Sequence, residues 1–223
     1  MNTCSCNLIV RDAADYIIPC LDSIASAGCF SEIVIAIDRR SSDRTLDIIT
    51  SYPYPMPAIV FWYHWGYDQY AGARNATLSQ SSGDYIFWID ADERLQPGLC
   101  DLIAEADSAY YVHQISNLPD GKSLDVPQVR LFPNIPGVQW EIPIHEQVSF
   151  SLDRLGVPIL DSDCKVFHIG YDSDEKIIEK HIRNFPILEE YIRTHKKMDD
   201  KLVYVTERYN ESLGFLKAQG IIS

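Results

Sequence analysis

The sequence predicts an α/β fold built on a mostly parallel sheet with helices on both faces, and three observations predict it. Strand-like and helix-like segments alternate from Cys4 to Asp92. The strand-like runs, such as Glu32 to Ile37 and Tyr85 to Ile89, are too apolar to be exposed edges. Polar clusters follow three of these runs abruptly, where an open parallel sheet binds its ligands.

The elements follow in order. Cys4 to Val10 reads as a buried strand, and Asp15 to Ala25 as a helix with Ile17, Ile18, Leu21 and Ile24 at helical spacing. Glu32 to Ile37 is a second strand, after which Ser42 or Asp43 caps a helix carrying Leu46, Ile48 and Ile49. Ile59 to Trp65 gives a third strand, Tyr70 to Ser81 a helix, and Tyr85 to Ile89 a fourth strand ending in Asp90-Ala91-Asp92-Glu93. A helix over Pro97 to Glu105 precedes strand-like segments at Ala109 to Gln114, Gln128 to Phe132, His145 to Phe150 and Lys165 to His168. Irregular connections are expected around Pro119, Pro127, Pro133, Pro136 and Pro143. From Glu175 the pattern is helical, with Ile178, Ile182, Phe185, Leu188 and Ile192 on one stripe and Pro186 kinking or restarting the helix. A last helix is predicted from about Lys201 to Gln219.

Composition narrows the classes. A chain of 223 residues, 46% hydrophobic and 23% charged, suffices for one domain with a substantial core. A formal charge of −13 and a pI near 4.7 argue against a nucleic-acid partner, whose binding rests on neutralised phosphates. No stretch approaches the roughly 20 apolar residues of a membrane span, and the polar start Met1-Asn2-Thr3 lacks a signal-peptide layout, so a soluble cytoplasmic protein is expected. The six cysteines are read as reduced structural thiols; Cys4 and Cys6 either alternate along a strand or pinch a metal. Lysine is absent before Lys122, so the early cations are Arg11, Arg39, Arg40, Arg44, Arg74 and Arg94, whose forked donors suit phosphate oxygens or a solvated face.

The three polar clusters are Arg11-Asp12, Asp38-Arg39-Arg40-Ser41-Ser42-Asp43 and Asp90-Ala91-Asp92-Glu93. Placed two apart on a strand, Asp90 and Asp92 would address one ligand together. Two carboxylates emerging from a buried strand make a hard-cation site suited to Mg²⁺ or Mn²⁺, the alternative being a helix cap or solvated turn.

Eight short segments extend the pattern: Asn7 to Asp12, Cys20 to Ile24, Glu32 to Asp38, Ala73-Arg74-Asn75, Trp88 to Glu93, Arg130-Leu131-Phe132, His145-Glu146 and His168-Ile169-Gly170-Tyr171. In order and spacing, from about Asn7 to about Leu188, they resemble the family-two inverting glycosyltransferases of GT-A fold. The resemblance implies that Asp38 recognises the nucleotide base, that Arg74 lies near the donor and that Asp90 faces the ribose or donor sugar. It implies further that Asp92 binds the metal bridging the diphosphate, that His168 completes the metal or diphosphate site, and that Glu146 is the catalytic base. Arg11, Arg40 and Ala91 join the expected nucleotide-sugar set, and Trp140 and His145 the acceptor side, Trp140 as a stacking face. Arg39 and Arg40 depart from the family pattern, replacing a small or acidic residue and a glycine; a different backbone path or a direct phosphate contact follows.

Simpler roles stand beside these. His168 can be a satisfied strand-end histidine, Glu146 can pair with Arg130 or a lysine, and His145 can act through a hydrogen bond. Trp62, Tyr63, Trp65, Tyr67 and Tyr70 read better as packing of the third strand than as sugar platforms.

The expected organisation is a catalytic domain over 1–173, with a nucleotide-binding half at 1–93 and an acceptor-binding half at 94–173. A helical extension over 174–223 completes the cleft or pairs two copies. The expected reaction moves a monosaccharide from a nucleotide diphosphate sugar, a UDP-sugar first among them, to a hydroxyl of a glycan, lipid-linked or protein acceptor, with Mn²⁺ or Mg²⁺. The rivals are a nucleotidyltransferase and an inactive nucleotide-sugar-binding module.

Overall fold

The structure, a computed structural model, describes residues 2–65, 69–118, 121–169, 174–195 and 197–222. Tyr67, Pro119, Gly170 and Tyr171 lie outside the described residues. The first half alternates as the sequence predicts: β1 (Cys4–Val10), α1 (Ile17–Ala27), β2 (Glu32–Asp38), α2 (Thr45–Ser51), β3 (Ala58–Tyr63), α3 (Gln69–Gln80) and β4 (Tyr85–Trp88). Then come β5 (Glu93–Leu95), α4 (Leu99–Glu105), β6 (Ala109–Asn117), β7 (Ser123–Pro133), α5 (Ser149–Leu155), β8 (Ile159–Leu160) and β9 (Lys165–His168). Two long helices end the chain, α6 (Asp174–Thr194) and α7 (Asp200–Ala218).

One sheet joins both halves in the order β3-β2-β1-β4-β7-β6-β9-β5, with β8 beside β6. The pairs β3-β2, β2-β1 and β1-β4 are parallel, and β1 and β2 are buried along their whole length. Their Leu8, Ile33, Ile35 and Ile37 join Ile17, Leu21 and Ile24 of α1 in the main core, where a fully buried side chain of this size contributes about 1.5–3 kcal/mol. The chain leaves β1 toward β2 and β3 on one side, then returns through α3 to β4 on the other. That reversal makes the tips of β1, β2 and β4 the place where a ligand fits.

Beyond β4 the sheet curls. A turn closed by Glu93 N donating to Asp90 O (3.0 Å) leads straight from β4 to β5, which is at the far end of the hydrogen-bonded order. β5 pairs antiparallel with β9, setting Glu93 opposite His168, and β9 pairs with β6, setting His168 opposite Ser116. Curling thus carries a histidine from late in the chain to the acidic turn.

Several expectations are corrected. Asp90 and Asp92 sit in that turn, not on a strand. The segment at 145–150 is not a strand: a bridge between Glu141 and Gln147 closes a loop, and α5 begins at Ser149. Pro186 lies inside α6, so it does not restart the helix. Trp62 is 43% exposed, because β3 is the sheet's edge, whereas Trp65 is buried against Tyr70. Cys29 and Cys100 form a disulfide, so not all six cysteines are reduced; Cys4, Cys6, Cys20 and Cys164 are free and buried. The apolar residues of α6 and α7 are spent partly on the body: Leu188, Tyr191, Leu202 and Val205 pack with Ile142 and Ile144. Among the described residues no helix is long and apolar enough to cross a membrane.

Candidate active site

Helix α3 organises the site. Ala71, Gly72 and Ala73 are small enough to let it lie close to β1 and β2, which brings Arg74 down to the strand tips. Arg74 is 5% exposed, and its guanidinium lies 4.0 Å from the Trp88 ring centre and 5.1 Å from that of Trp140. A buried cation needs counter-charge. Arg74 Nη2 donates to Asp90 Oδ1 (2.9 Å) and Nε to Glu146 Oε1 (2.6 Å). Burial would raise the Asp90 carboxyl, but Arg74 foremost, then Arg130, hold it below its usual range.

The same helix anchors the loop that carries Glu146. Tyr70 N donates to Pro143 O (3.0 Å), and the Asn75 amide bonds both to Trp140 N and to Trp140 O (2.8 and 2.9 Å). Between these ties Ile142 (φ 62°) and His145 (φ 55°) occupy the left-handed region, costly for side chains like these. Both ends of the loop hold it there, through the paired Glu141–Gln147 backbone bonds of 3.0 Å each. Burial first, then Lys180, Arg208, His181 and Arg183, push His145 down to about 4, so its imidazole is neutral near pH 7.

Asp92 and His168 meet across the curl, Nε2 lying 3.2 Å from Oδ2, while Ser116 Oγ lies 3.1 Å from Nδ1 and fixes the ring. One carboxylate and one oriented imidazole form a donor set that Mn²⁺ accepts and Mg²⁺ tolerates. No group of three metal-binding side chains occurs among the described residues.

At the tip of β2, Asp38 is wholly buried and Arg40 covers it, Nε lying 3.1 Å from both oxygens and Nη2 2.7 Å from Oδ2. Arg11 Nε is 4.0 Å away. The Arg39-Arg40 turn contains no left-handed residue, so it needs no glycine. Asp12, Ser41, Ser42, Asp43 and Thr45 instead stitch the two neighbouring loops together: Asp12 Oδ1 accepts from Ser42 N (2.8 Å), and Asp43 Oδ2 from Ala14 N (2.9 Å).

Of the sequence candidates, Arg74, Asp90 and Glu146 come together in one cluster, Asp92 and His168 in another, and Arg11, Asp38 and Arg40 in a third. Ala91 lies in the acidic turn. Trp140 is 5% exposed, T-shaped against Trp88 and Phe132 with the Arg74 guanidinium 5.1 Å from its ring centre, and it borders a cavity with Asn75, Glu141 and Pro143. Glu146 pairs with Arg74, not with Arg130.

Sequence reasoning missed the support beneath the turn. Arg130 and Glu93, both 0% exposed, pair through two bonds of 2.5 and 2.7 Å. Gln114 Nε2 also donates to Glu93 (2.5 Å), and Glu93 Oε2 accepts from Asp90 N (2.9 Å). The signal was a lone arginine in the apolar run Val129 to Phe132, which had to find an acid.

A mostly parallel sheet with an acidic turn at its switch point, curling so that a histidine meets that turn, defines a protein of the GT-A type. The sequence pattern of glycosyl transferase family 2 matches residues 5–174, and the chain belongs to that family. A TPR repeat-containing protein of Synechococcus elongatus is 30% identical over 149 residues, covering 65% of this chain and 35% of that protein. The SPbeta prophage-derived glycosyltransferase SunS of Bacillus subtilis is 23% identical, with 96% of this chain and 52% of SunS covered. The chain thus spans about half or less of these relatives. Among solved structures, S. aureus TarS 1–349 in complex with UDP-GlcNAc aligns with a TM-score of 0.59 at 15% identity, over 94% of this chain and 72% of that one. GalNAc-T7 with UDP, GalNAc and Mn²⁺ aligns at 0.54 and 11%, over 76% and 43%. At these identities the two structures speak for the fold.

Proposed function

We propose that the chain transfers a monosaccharide from a nucleotide diphosphate sugar, with UDP the first base to test, to an acceptor hydroxyl with inversion. The observation that carries this reading is the Arg74 clamp, which holds a candidate base, Glu146, beside a candidate donor ligand, Asp90, at the switch point of the sheet. The SunS name, and the titles recording UDP-GlcNAc with TarS and UDP with GalNAc-T7, support the donor class.

Glu146 Oε1 is anchored by Arg74, while Oε2 accepts no hydrogen bond among the described residues. Oε2 takes the acceptor proton as the acceptor oxygen bonds to the anomeric carbon from the face opposite the leaving group. The bond from that carbon to the diphosphate oxygen breaks, and the oxygen leaves with the electron pair. Asp90 orients the ribose or donor sugar, Asp38 faces the base, and His145 borders the acceptor. Mn²⁺ or Mg²⁺, held by Asp92 and His168, would supply charge compensation for the departing diphosphate.

The test is a screen of nucleotide sugars, with and without Mn²⁺, for release of nucleoside diphosphate and for the anomeric configuration of the product. Glu146→Gln should keep donor affinity while transfer falls by about 10²–10⁴-fold, and Asp92→Asn should lose the gain in UDP affinity that Mn²⁺ brings. Release of pyrophosphate instead, or full transfer by Glu146→Gln, would overturn the reading.

A further inference from the structure

The acid assigned above to the nucleobase is already engaged. Three side-chain contacts from Arg40 cover both oxygens of Asp38, and the Arg40 backbone N adds a fourth at 3.0 Å to Oδ1. Asp38 is 0% exposed, whereas the side chain of Arg40 is 44% exposed and reaches in from the surface. Asp38 ends β2, which lies parallel to β1, itself parallel to β4, so Arg40, two residues further on, stands at the switch-point end of the sheet.

A base N–H donating to Asp38 in place of Arg40 would exchange bonds between two charged partners for one in which only the acceptor is charged, and would leave the half-exposed guanidinium to water. A nucleoside alone therefore binds at a loss. A diphosphate arriving with the base removes the loss, because its oxygens accept the same planar fork that the carboxylate gives up. The backbone need not move, since the turn is free of left-handed residues and the exposed side chain rotates about its own bonds.

We propose that Arg40 is a latch transferred from Asp38 to the donor's diphosphate on binding, which makes the site select nucleotide diphosphates against nucleosides. This rests on the assignment of Asp38 to the base and adds a specificity-determining role for a residue that the family pattern does not supply.

Calorimetry of uridine and UDP at fixed Mn²⁺, on wild type, Arg40→Gly and Arg40→Gln, tests it; if another base binds better, its nucleoside and diphosphate replace these. The two variants should bind the nucleoside about tenfold more tightly than wild type and the diphosphate about tenfold more weakly. A residue that merely supported Asp38, or contacted the base, would weaken both ligands on removal, and that outcome overturns the latch, as does a nucleoside affinity that stays unchanged. Should wild type bind no nucleoside diphosphate of any base with Mn²⁺, the function proposed above fails, and the latch with it. Arg40→Gln keeps bulk and a donor at the turn, so the test stands if Arg40→Gly does not fold.

Discussion

Glu93 and Arg130 show what a single pair of residues can decide. Both are fully buried, and Arg130 also lies 4.0 Å from the Trp88 ring centre, as Arg74 does; two cations at that distance from one indole fit only on opposite faces. Because Glu93 accepts from Asp90 N, the pair fixes the backbone of the acidic turn. Glu93→Gln leaves Arg130 without counter-charge, and losing one partner of a buried pair costs about 3–5 kcal/mol. Urea unfolding should show that loss, together with weaker UDP binding; a cost under about 1 kcal/mol would mean the pair is not held as described. The contrasting pair, Arg193–Glu190, has side chains 70% and 39% exposed, and breaking it should change stability by no more than about 1 kcal/mol.

Among the elements, the β6–β7 hairpin is clasped by His113, whose Nδ1 is 2.7 Å from Asp125 and Nε2 3.1 Å from Asp161. Asp125 first, then Asp161, raise His113 above its ordinary value against the opposing effect of burial. A raised folded value means the clasp stabilises fully below the unfolded histidine value near 6.5 and is lost as pH rises through the folded one. His113→Gln should therefore lower Tm more at pH 5.5 than at pH 9, and an equal drop at both would remove the clasp. Both aspartates are largely exposed, so salt should shrink the effect. The elements also show what a sequence discloses. β1, β2, β4 and α1 were legible because buried strands are uniformly apolar and a helix repeats its apolar face. His145 to Phe150 mimicked a strand because polar and apolar residues alternate from Gln147 to Phe150, while the positive φ of His145 and the bridge from Glu141 to Gln147 depend on chain brought in from elsewhere. Asp92 and His168 were expected at one site and do meet, whereas the pairing of Asp38 with Arg40 and of Arg74 with both Asp90 and Glu146 was not foreseen. Arg74 is 72 positions from Glu146, and a local pattern carries no record of such a meeting. Trp140 lies in a loop, as a tryptophan among prolines suggests, but its burial against Trp88 and Phe132 comes only from tertiary packing.

For the whole molecule, the Cys29–Cys100 disulfide spans 71 positions, enclosing β2, α3 and the acidic turn in one covalent loop. A loop of that length is worth roughly 4 kcal/mol in the chain-entropy account. Cys29→Ser with Cys100→Ser, or treatment with a reductant, should lower Tm by several degrees; an unchanged Tm would show that the bond does not form in solution. The C-terminal helices brace the same body, since Lys201 of α7 and Arg154 of α5 both pair with the nearly buried Glu141. Glu141 begins the loop, closed at Gln147, that carries Glu146, so α7 bears on the placement of the proposed base. Arg74 unites these parts in a different way. One positive charge divided between two negative ones can act as a seesaw: under the proposed function, a donor that draws Asp90 aside would tip the guanidinium toward Glu146, and an acceptor proton landing on Glu146 would tip it back. Under that proposal, the transfer rates of Asp90→Asn, Glu146→Gln and the double variant should fail to add in a double-mutant cycle, with a coupling of about 0.5–3 kcal/mol, the sign that donor and acceptor would each sense the other's arrival.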